Sequence, residues 1–563
     1  AEAKASAWNY MSIPWQKPDP QPDKEGNLSA YTLNDMGVAD VDGDGEYEFI
    51  VKWYPDNGFD SGNAVAPSSP TIFDLYELDG TPLWRLNLGL EMPSGAHFNQ
   101  FMLYDMDEDG KAELFIKTSD GTISYKPNAE GKFDMNDEST IVSYIGDETV
   151  IPGTNVDPNG HVNPNSNEYV TVFNGLTGEV IDSIDFVNTT GSYEDWGKAD
   201  GGNRSARYNI AIAYLPKAAG STETIPAVLF NRGYYAKTTV AAYTLRDGKL
   251  NLEWNFVRQT GTNEAGKGNH NMSTGDIDKD GFDELIIGAL AIDHDGSVLW
   301  VKDGKNGQDM SGHADTIHLA AMNPDSNDLY VFTPNEEANE STMNAAVVNA
   351  RTGVRVSGVW FSHKDVGRAV AANITPTPGY ESWSAATGSG IYAFDGSAVS
   401  HTIPVPMNWR MYWDGDLLSE LGDGAGNDED WMITKYNWEN NTLDTLAVLD
   451  GTKTNNWSKK TPGLTADLFG DWREEVVLRN DDDTELRIYM TTEETDYMIY
   501  TLMHDPVYRN AVANQNTSYN QPPHIGFYLG EDNKDTVLAM GLPTAEIKYS
   551  TPREEMATLA EDQ

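Results

Sequence analysis

A short acidic pattern recurs along the chain and constrains its fold more than any other feature. Residues 40–48 read DVDGDGEYE, 105–113 read DMDEDGKAE and 276–284 read DIDKDGFDE; a divergent fourth copy, DLFGDWREE, spans 467–475. The copies share Asp, Asp and Glu at one spacing: Asp40, Asp44 and Glu48; Asp105, Asp109 and Glu113; Asp276, Asp280 and Glu284; Asp467, Asp471 and Glu475. The first three add a central acid, Asp42, Asp107 and Asp278. A Ca²⁺ ion takes roughly 6–8 oxygens at about 2.3–2.6 Å, and a tight Asp-x-Asp turn points alternate carboxylates inward while glycine supplies the bend. These side chains are therefore the expected ligands of several Ca²⁺ ions. The helical frame of an EF-hand is missing. Each copy instead runs into a short apolar segment, FIVKW, LFIKT, LIIGA or VVLRN, which reads as a strand.

The first two copies begin at residues 40 and 105, and weaker relatives fall at 321–332 and 373–383. Between them lie hairpin signatures such as TIFDLYELDGTPLWRLNLG and YVTVFNGLTGEVIDSIDF, each two strand-like runs around an Asp-Gly or Thr-Gly turn. Helix signals are few. Short strands repeating at a period of tens of residues predict an all-β fold, a β-propeller. No linker divides the chain, so 1–563 is read as one domain, with 1–33 leading into the first blade. There is no apolar run of about 18 residues, and hence no helical membrane span. A net charge of -50, from 38 basic and 88 acidic residues, excludes nucleic acid and anionic membranes as partners. Cysteine is absent, which removes disulfides, thiolate nucleophiles and iron–sulfur sites and leaves hard cations as the staples of a secreted protein.

Longer strings narrow the field. In order they include NDMGVADVDGDGEYEFIVKW (34–53), GAHFNQFMLYDMDEDGKAE (95–113), GNHNMSTGDIDKDGFDE (268–284), SGHADTIH (311–318), KDVGRAVAANI (364–374), WDGDLLSEL (413–421), TPGLTADLFGDWREEVVLR (461–479) and YNQPPHIGFYLG (519–530). Together they resemble the family 11 rhamnogalacturonan lyases from about residue 10 to about residue 540. The resemblance implies an eight-bladed propeller with structural calcium, acting as a monomer on an acidic polysaccharide by cleaving a rhamnose–uronate bond. Members often carry a further small β-domain ahead of the propeller, and the chain starts too late to include it. Carried over position by position, the matched cleft residues are Asn34, Lys459 and Tyr519, with His270 and His313. Four positions depart from the family's pattern. Tyr54 stands where Asp is usual, Asn456-Trp457-Ser458-Lys459 where Asn-Gly-Thr-Lys is usual, Ala314 where Gly is usual and Asn335-Glu336 where His-Glu is usual. Tyr54 and Trp457 add aromatic bulk where sugars lie, which suggests a different rhamnose–uronate polymer.

β-Elimination at a uronate removes the C5 proton and expels the C4 oxygen. The chemistry needs a base and a cation, metal or side chain, to stabilise the enolate-like charge. His270 or His313 near the reacting sugar, with Lys459 as base or charge stabiliser, supplies that set. Asn34, Tyr54, Asn456, Trp457, Ser458 and Tyr519 are the expected sugar contacts. His97 is expected to be structural, and His504, Asp505, Tyr508 and Arg509 to brace the last blade. Two other functions compete: a non-catalytic calcium propeller for glycan binding or adhesion, and a glycoside hydrolase, which needs a carboxylate pair across the bond.

Overall fold

The structure, a computed structural model, describes residues 9–59, 67–147, 166–197, 202–302, 313–336, 343–359, 366–386, 389–403, 405–425 and 430–540. Eight antiparallel sheets follow one another along it. Blade 1 is built on Tyr31–Ala39, Glu48–Pro55, Ile72–Tyr76 and Pro82–Asn87, and blade 2 on Phe101–Tyr104, Glu113–Thr118, Tyr169–Asn174 and Val180–Asp185. Blade 3 runs from Tyr208 to Arg258, blade 4 from Gly268 to Val301, blade 5 from His318 to Val359, blade 6 from Ala369 to Ser400 and blade 7 from Trp409 to Leu449. Blades 3 to 7 are each a four-stranded meander, while Thr122–Tyr125 and Ile141–Ile145 extend the sheet of blade 1 to six strands. The eight-bladed β-propeller expected from the sequence is what forms.

Blade 8 shows how the ring closes. Leu464–Ala466, Glu475–Asn480 and Glu485–Tyr489 supply three strands, and Tyr10–Pro14 from the start of the chain supplies the outermost one, with Tyr10 opposite Tyr489 and Ile13 opposite Leu486. Tyr10–Pro14 thus completes the last blade before the chain runs on into the first strand of blade 1 at Tyr31.

The continuous apolar runs of the sequence have a packing reason. A blade is buried on both faces, so neither side-chain row of a strand can be polar. In Glu48–Pro55, Phe49, Val51 and Trp53 pack with Val477 and Ile488 of blade 8, while Ile50 packs with Phe101 and Leu114 of blade 2. Comparable clusters fill the other junctions.

The innermost strand of every blade leaves one edge unpaired, and buried backbone groups need partners. The stretch 502–530 meets that need. Its helix, Pro506–Asn514, packs against the first strands of blades 1 to 4. Around it, Asn and Gln side chains reach the inner edges. Asn514 Oδ1 accepts from Ile212 N at 3.0 Å, Gln515 Oε1 from Thr465 N at 3.0 Å and Gln521 Oε1 from Ile317 N at 2.8 Å, and Asn516 Nδ2 donates to Met36 O. Tyr508 does brace blade 8, through Asp467 N and Glu474. Arg509 instead reaches Tyr104 and Tyr214 of blades 2 and 3, so this stretch plugs the ring axis.

Candidate active site

Strand direction separates the acidic turns from the matched cleft residues. Each turn joins the first strand of a blade to the second, so all of them lie on one face of the ring. The residues that precede first strands or follow second strands lie on the other. In blade 4, His270 and Asp276 sit toward opposite ends of Gly268–Gly275, about 20 Å apart at the rise of a strand. The acidic turns therefore stand clear of any ligand at His270.

On the other face, blades 4, 5 and 8 and the plug build one compact cluster. His270 enters from the start of blade 4, His313 and Asp315 from the segment ahead of blade 5, Glu336 from the end of the second strand of blade 5 and Lys459 from the turn ahead of blade 8. The His270 and His313 rings are 5.4 Å apart, and His313 Nε2 meets Glu336 at 2.8 Å. Asp315 lies 3.9 Å from His270 Nε2 and 3.4 Å from Lys459 Nζ. The ammonium also sits 4.1 Å over the ring of Tyr519, which packs 4.4 Å from His270 and 4.1 Å from His97. His97, expected to be structural, thus belongs to this wall.

Residues that the motifs did not reveal hold His270 in place. Tyr234 Oη is 3.0 Å from its Nδ1 and Tyr235 Oη 3.4 Å from its Nε2, while Arg207 donates to Tyr235 Oη at 2.7 Å. Burial first, then the charges of Arg207, His313, His97 and Lys459, hold the His270 imidazole well below the ordinary histidine range, so it is neutral and suited to be a ligand. Burial pushes Glu336 up to about 7; Asp315 adds to the effect and His313 opposes it. Ligand atoms of His270, His313 and Glu336 lie within 4.8 Å of one another, a nitrogen and oxygen set able to hold one divalent cation.

The mouth beside this cluster is aromatic. Trp457 is 49% exposed, and its ring stands 6.2 Å from Tyr54 and 6.2 Å from His97. Asn456, Trp457 and Lys460 have φ of 60°, 48° and 43°, left-handed conformations that side chains resist. Asn34 and Asn456 are buried here, and each has an Oδ1 without a hydrogen-bond partner among the described residues. The side chain of Ser458 lies outside the described residues. His318 is not in the cluster: it bonds His524 at 2.8 Å and Ala369 O at 2.7 Å on the ring axis.

The acidic turns share one hydrogen-bond plan. The last Glu accepts from a backbone N–H at the start of its turn: Glu48 from Val41 at 2.6 Å, Glu113 from Met106 at 2.9 Å and Glu284 from Ile277 at 2.8 Å. One carboxylate oxygen from each of Asp40, Asp42 and Glu48, from each of Asp105, Asp107 and Glu113, and from each of Asp276, Asp278 and Glu284 lies within 4.8 Å of the others in its turn. Asp276 Oδ1 and Glu284 Oε1 have no hydrogen-bond partner among the described residues. Like charges this close, with orphaned oxygens, fit a hard dication. At the fourth copy Glu475 accepts from Leu468 N at 2.7 Å in the same way, but Arg473 covers Asp471 at 2.5 Å and Asp467 accepts from Leu502 N at 2.8 Å.

The sequence profile described as "Rhamnogalacturonan lyase family 11, C-terminal domain" matches residues 10–538. The rhamnogalacturonan endolyase YesW of Bacillus subtilis (strain 168) is 41% identical over 536 residues, covering 94% of this chain and 79% of that protein. The rhamnogalacturonan exolyase YesX of the same organism is 39% identical over 557 residues, covering 94% and 83%. The crystal structure of YesW superposes with a TM-score of 0.81 at 39% identity, over 96% of this chain and 84% of that one. With the ring of blades and the profile match in agreement, the chain is a polysaccharide lyase and belongs to rhamnogalacturonan lyase family 11.

Proposed function

We propose that this chain cleaves a rhamnogalacturonan backbone at its uronate by β-elimination, with Lys459 as the base. The observation that carries the proposal is the meeting of two imidazoles, two carboxylates and one amine, from blades 4, 5 and 8, on one patch beside Tyr519. A dication bound by His270, His313 and Glu336 would neutralise the sugar carboxylate and make the C5 proton more acidic. Lys459 Nζ takes that proton. The C5–H electron pair becomes the C4–C5 double bond, the C4–O bond breaks and the departing rhamnosyl oxygen is protonated from solvent. Asp315 orients the amine, and the orphaned Oδ1 atoms of Asn34 and Asn456 accept sugar hydroxyls. Ca²⁺ in the turns of blades 1, 2 and 4 is then structural. We further propose that the chain works outside the cell, where such polymers lie. Among the described residues no helix is long and apolar enough to cross a membrane.

A second reading keeps the chemistry and changes the polymer to one of rhamnose and glucuronate. Tyr54 and Trp457 favour it, because an exposed indole held at φ 48° is strain retained at a binding mouth. Incubating the protein with both polymers, and following the ultraviolet absorbance of the C4–C5 unsaturated product, separates the readings. A rise on the glucuronate polymer alone moves the substrate; no rise on either sinks the proposal. Trp457→Gly is expected to raise KM about tenfold, equivalent to about 1.4 kcal/mol. It should also stabilise the fold by roughly 1 kcal/mol by relieving the left-handed backbone. An unchanged KM would remove Trp457 from the sugar-binding surface.

A further inference from the structure

Blade 7 carries a turn that the acidic pattern alone does not reveal. Residues Tyr412, Trp413, Asp414, Gly415, Asp416 and Glu420 occupy the places of Asp40, Val41, Asp42, Gly43, Asp44 and Glu48. Three of the hydrogen bonds correspond. Glu420 accepts from Trp413 N at 2.7 Å as Glu48 does from Val41 N at 2.6 Å; Asp414 accepts from Asp416 N at 3.2 Å as Asp42 does from Asp44 N at 3.0 Å. Asp416 accepts from Leu418 N at 2.8 Å as Asp44 does from Glu46 N at 2.8 Å. Into the middle of this turn comes Lys435. Its Nζ donates to Asp414 Oδ2 at 2.5 Å, Asp416 Oδ2 at 2.7 Å and Glu420 Oε1 at 2.8 Å, charge-assisted bonds to the same three carboxylates that would otherwise face a cation.

Strand register explains where Lys435 comes from. Leu421 pairs with Thr434, which sets Glu420 across from Lys435. The same step in blade 1, where Phe49 pairs with Tyr76, sets Glu48 across from Glu77; in blade 4, where Leu285 pairs with Ile292, it sets Glu284 across from Asp293. One position therefore carries an acid in two blades and an ammonium in a third. Tyr412 in place of the first Asp removes one carboxylate where the cation carries one charge fewer.

We propose that the blade 7 turn is a cation site filled by the chain's own Lys435 ammonium, and that the residue across from the last Glu of a turn decides whether a blade takes a metal ion or a side chain. The inference rests on the calcium reading of blades 1, 2 and 4. Its test is a count of Ca²⁺ bound per folded chain, by elemental analysis after dialysis. Lys435→Asn, which offers an oxygen in place of the charge, gains one ion over wild type, and Lys435→Arg gains none. The reciprocal Glu77→Lys loses one, which carries the test if Lys435→Asn does not fold. An unchanged count in folded Lys435→Asn, or in Glu77→Lys, overturns the inference. Wild-type protein that binds no Ca²⁺ overturns the calcium reading itself.

Discussion

Lys459→Ala is expected to lower kcat by roughly 10³-fold or more, since a positioned general base contributes about 10²–10⁴, while the fold is retained. The residue lies in a one-turn helix, Trp457–Lys459, near the surface. Its contacts are to cluster members, Asp315 at 3.4 Å and the Tyr519 ring at 4.1 Å, so no blade junction depends on it. Lys459→Arg is the informative companion. It keeps the positive charge but cannot accept a proton near neutral pH, so a base role predicts that it is as inactive as Lys459→Ala. A purely electrostatic role predicts substantial recovery. Initial rates of unsaturated-product formation, with far-ultraviolet circular dichroism as the folding control, decide between them. Activity of Lys459→Ala within tenfold of wild type would remove Lys459 from the chemistry.

The parts of this molecule that were legible in sequence are those encoded by local spacing. Asp40 to Glu48 is one turn, the placing of its carboxylates is a matter of a few consecutive residues, and the strand that follows is set by FIVKW on the spot. The matched strings likewise found His270, His313 and Lys459, although the chain separates them widely. What stayed hidden depends on register and on edges. Lys435 bears on Asp414 only because Leu421 pairs with Thr434, and no spacing rule along the chain conveys that. Tyr234 and Tyr235 follow a strand of blade 3 and meet His270 of blade 4 through blade packing; an adjacent aromatic pair is the single signal they leave. The Asn- and Gln-rich stretch after Arg509 resembles a loop, because the inner strand edges it satisfies become visible only once the ring exists. The same holds for Tyr10–Pro14, whose partner strand lies at the far end of the chain.

Stripping calcium is expected to produce the largest loss of stability, and one that grows with pH. A site saturated at about 1,000-fold over its dissociation constant stabilises a fold by about 4 kcal/mol, and the turns of blades 1, 2 and 4 act in separate blades, so their losses accumulate. In the metal-free fold, burial pushes Glu48 and Glu113 up to about 8 and Glu284 up to about 9, against the backbone hydrogen bonds they accept, with neighbouring aspartates adding to the effect. An acid raised in the folded state contributes stability that is fully present below its unfolded pKa, about 4.5, and is lost as pH climbs through the folded value. Metal-free protein should therefore unfold at progressively lower temperature from about pH 5 to about pH 9. The calcium-loaded protein, whose carboxylates are already ionised against a dication, should change much less over the same range. Scanning calorimetry across that range, with and without chelator, measures the gap. Because the blade 4 turn stands about 20 Å along the strand from His270, the loss of stability on emptying it is separate from the loss of activity on removing the dication proposed at His270, His313 and Glu336. A chelated protein as stable as the loaded one at pH 8 would mean that the acidic turns hold no ion.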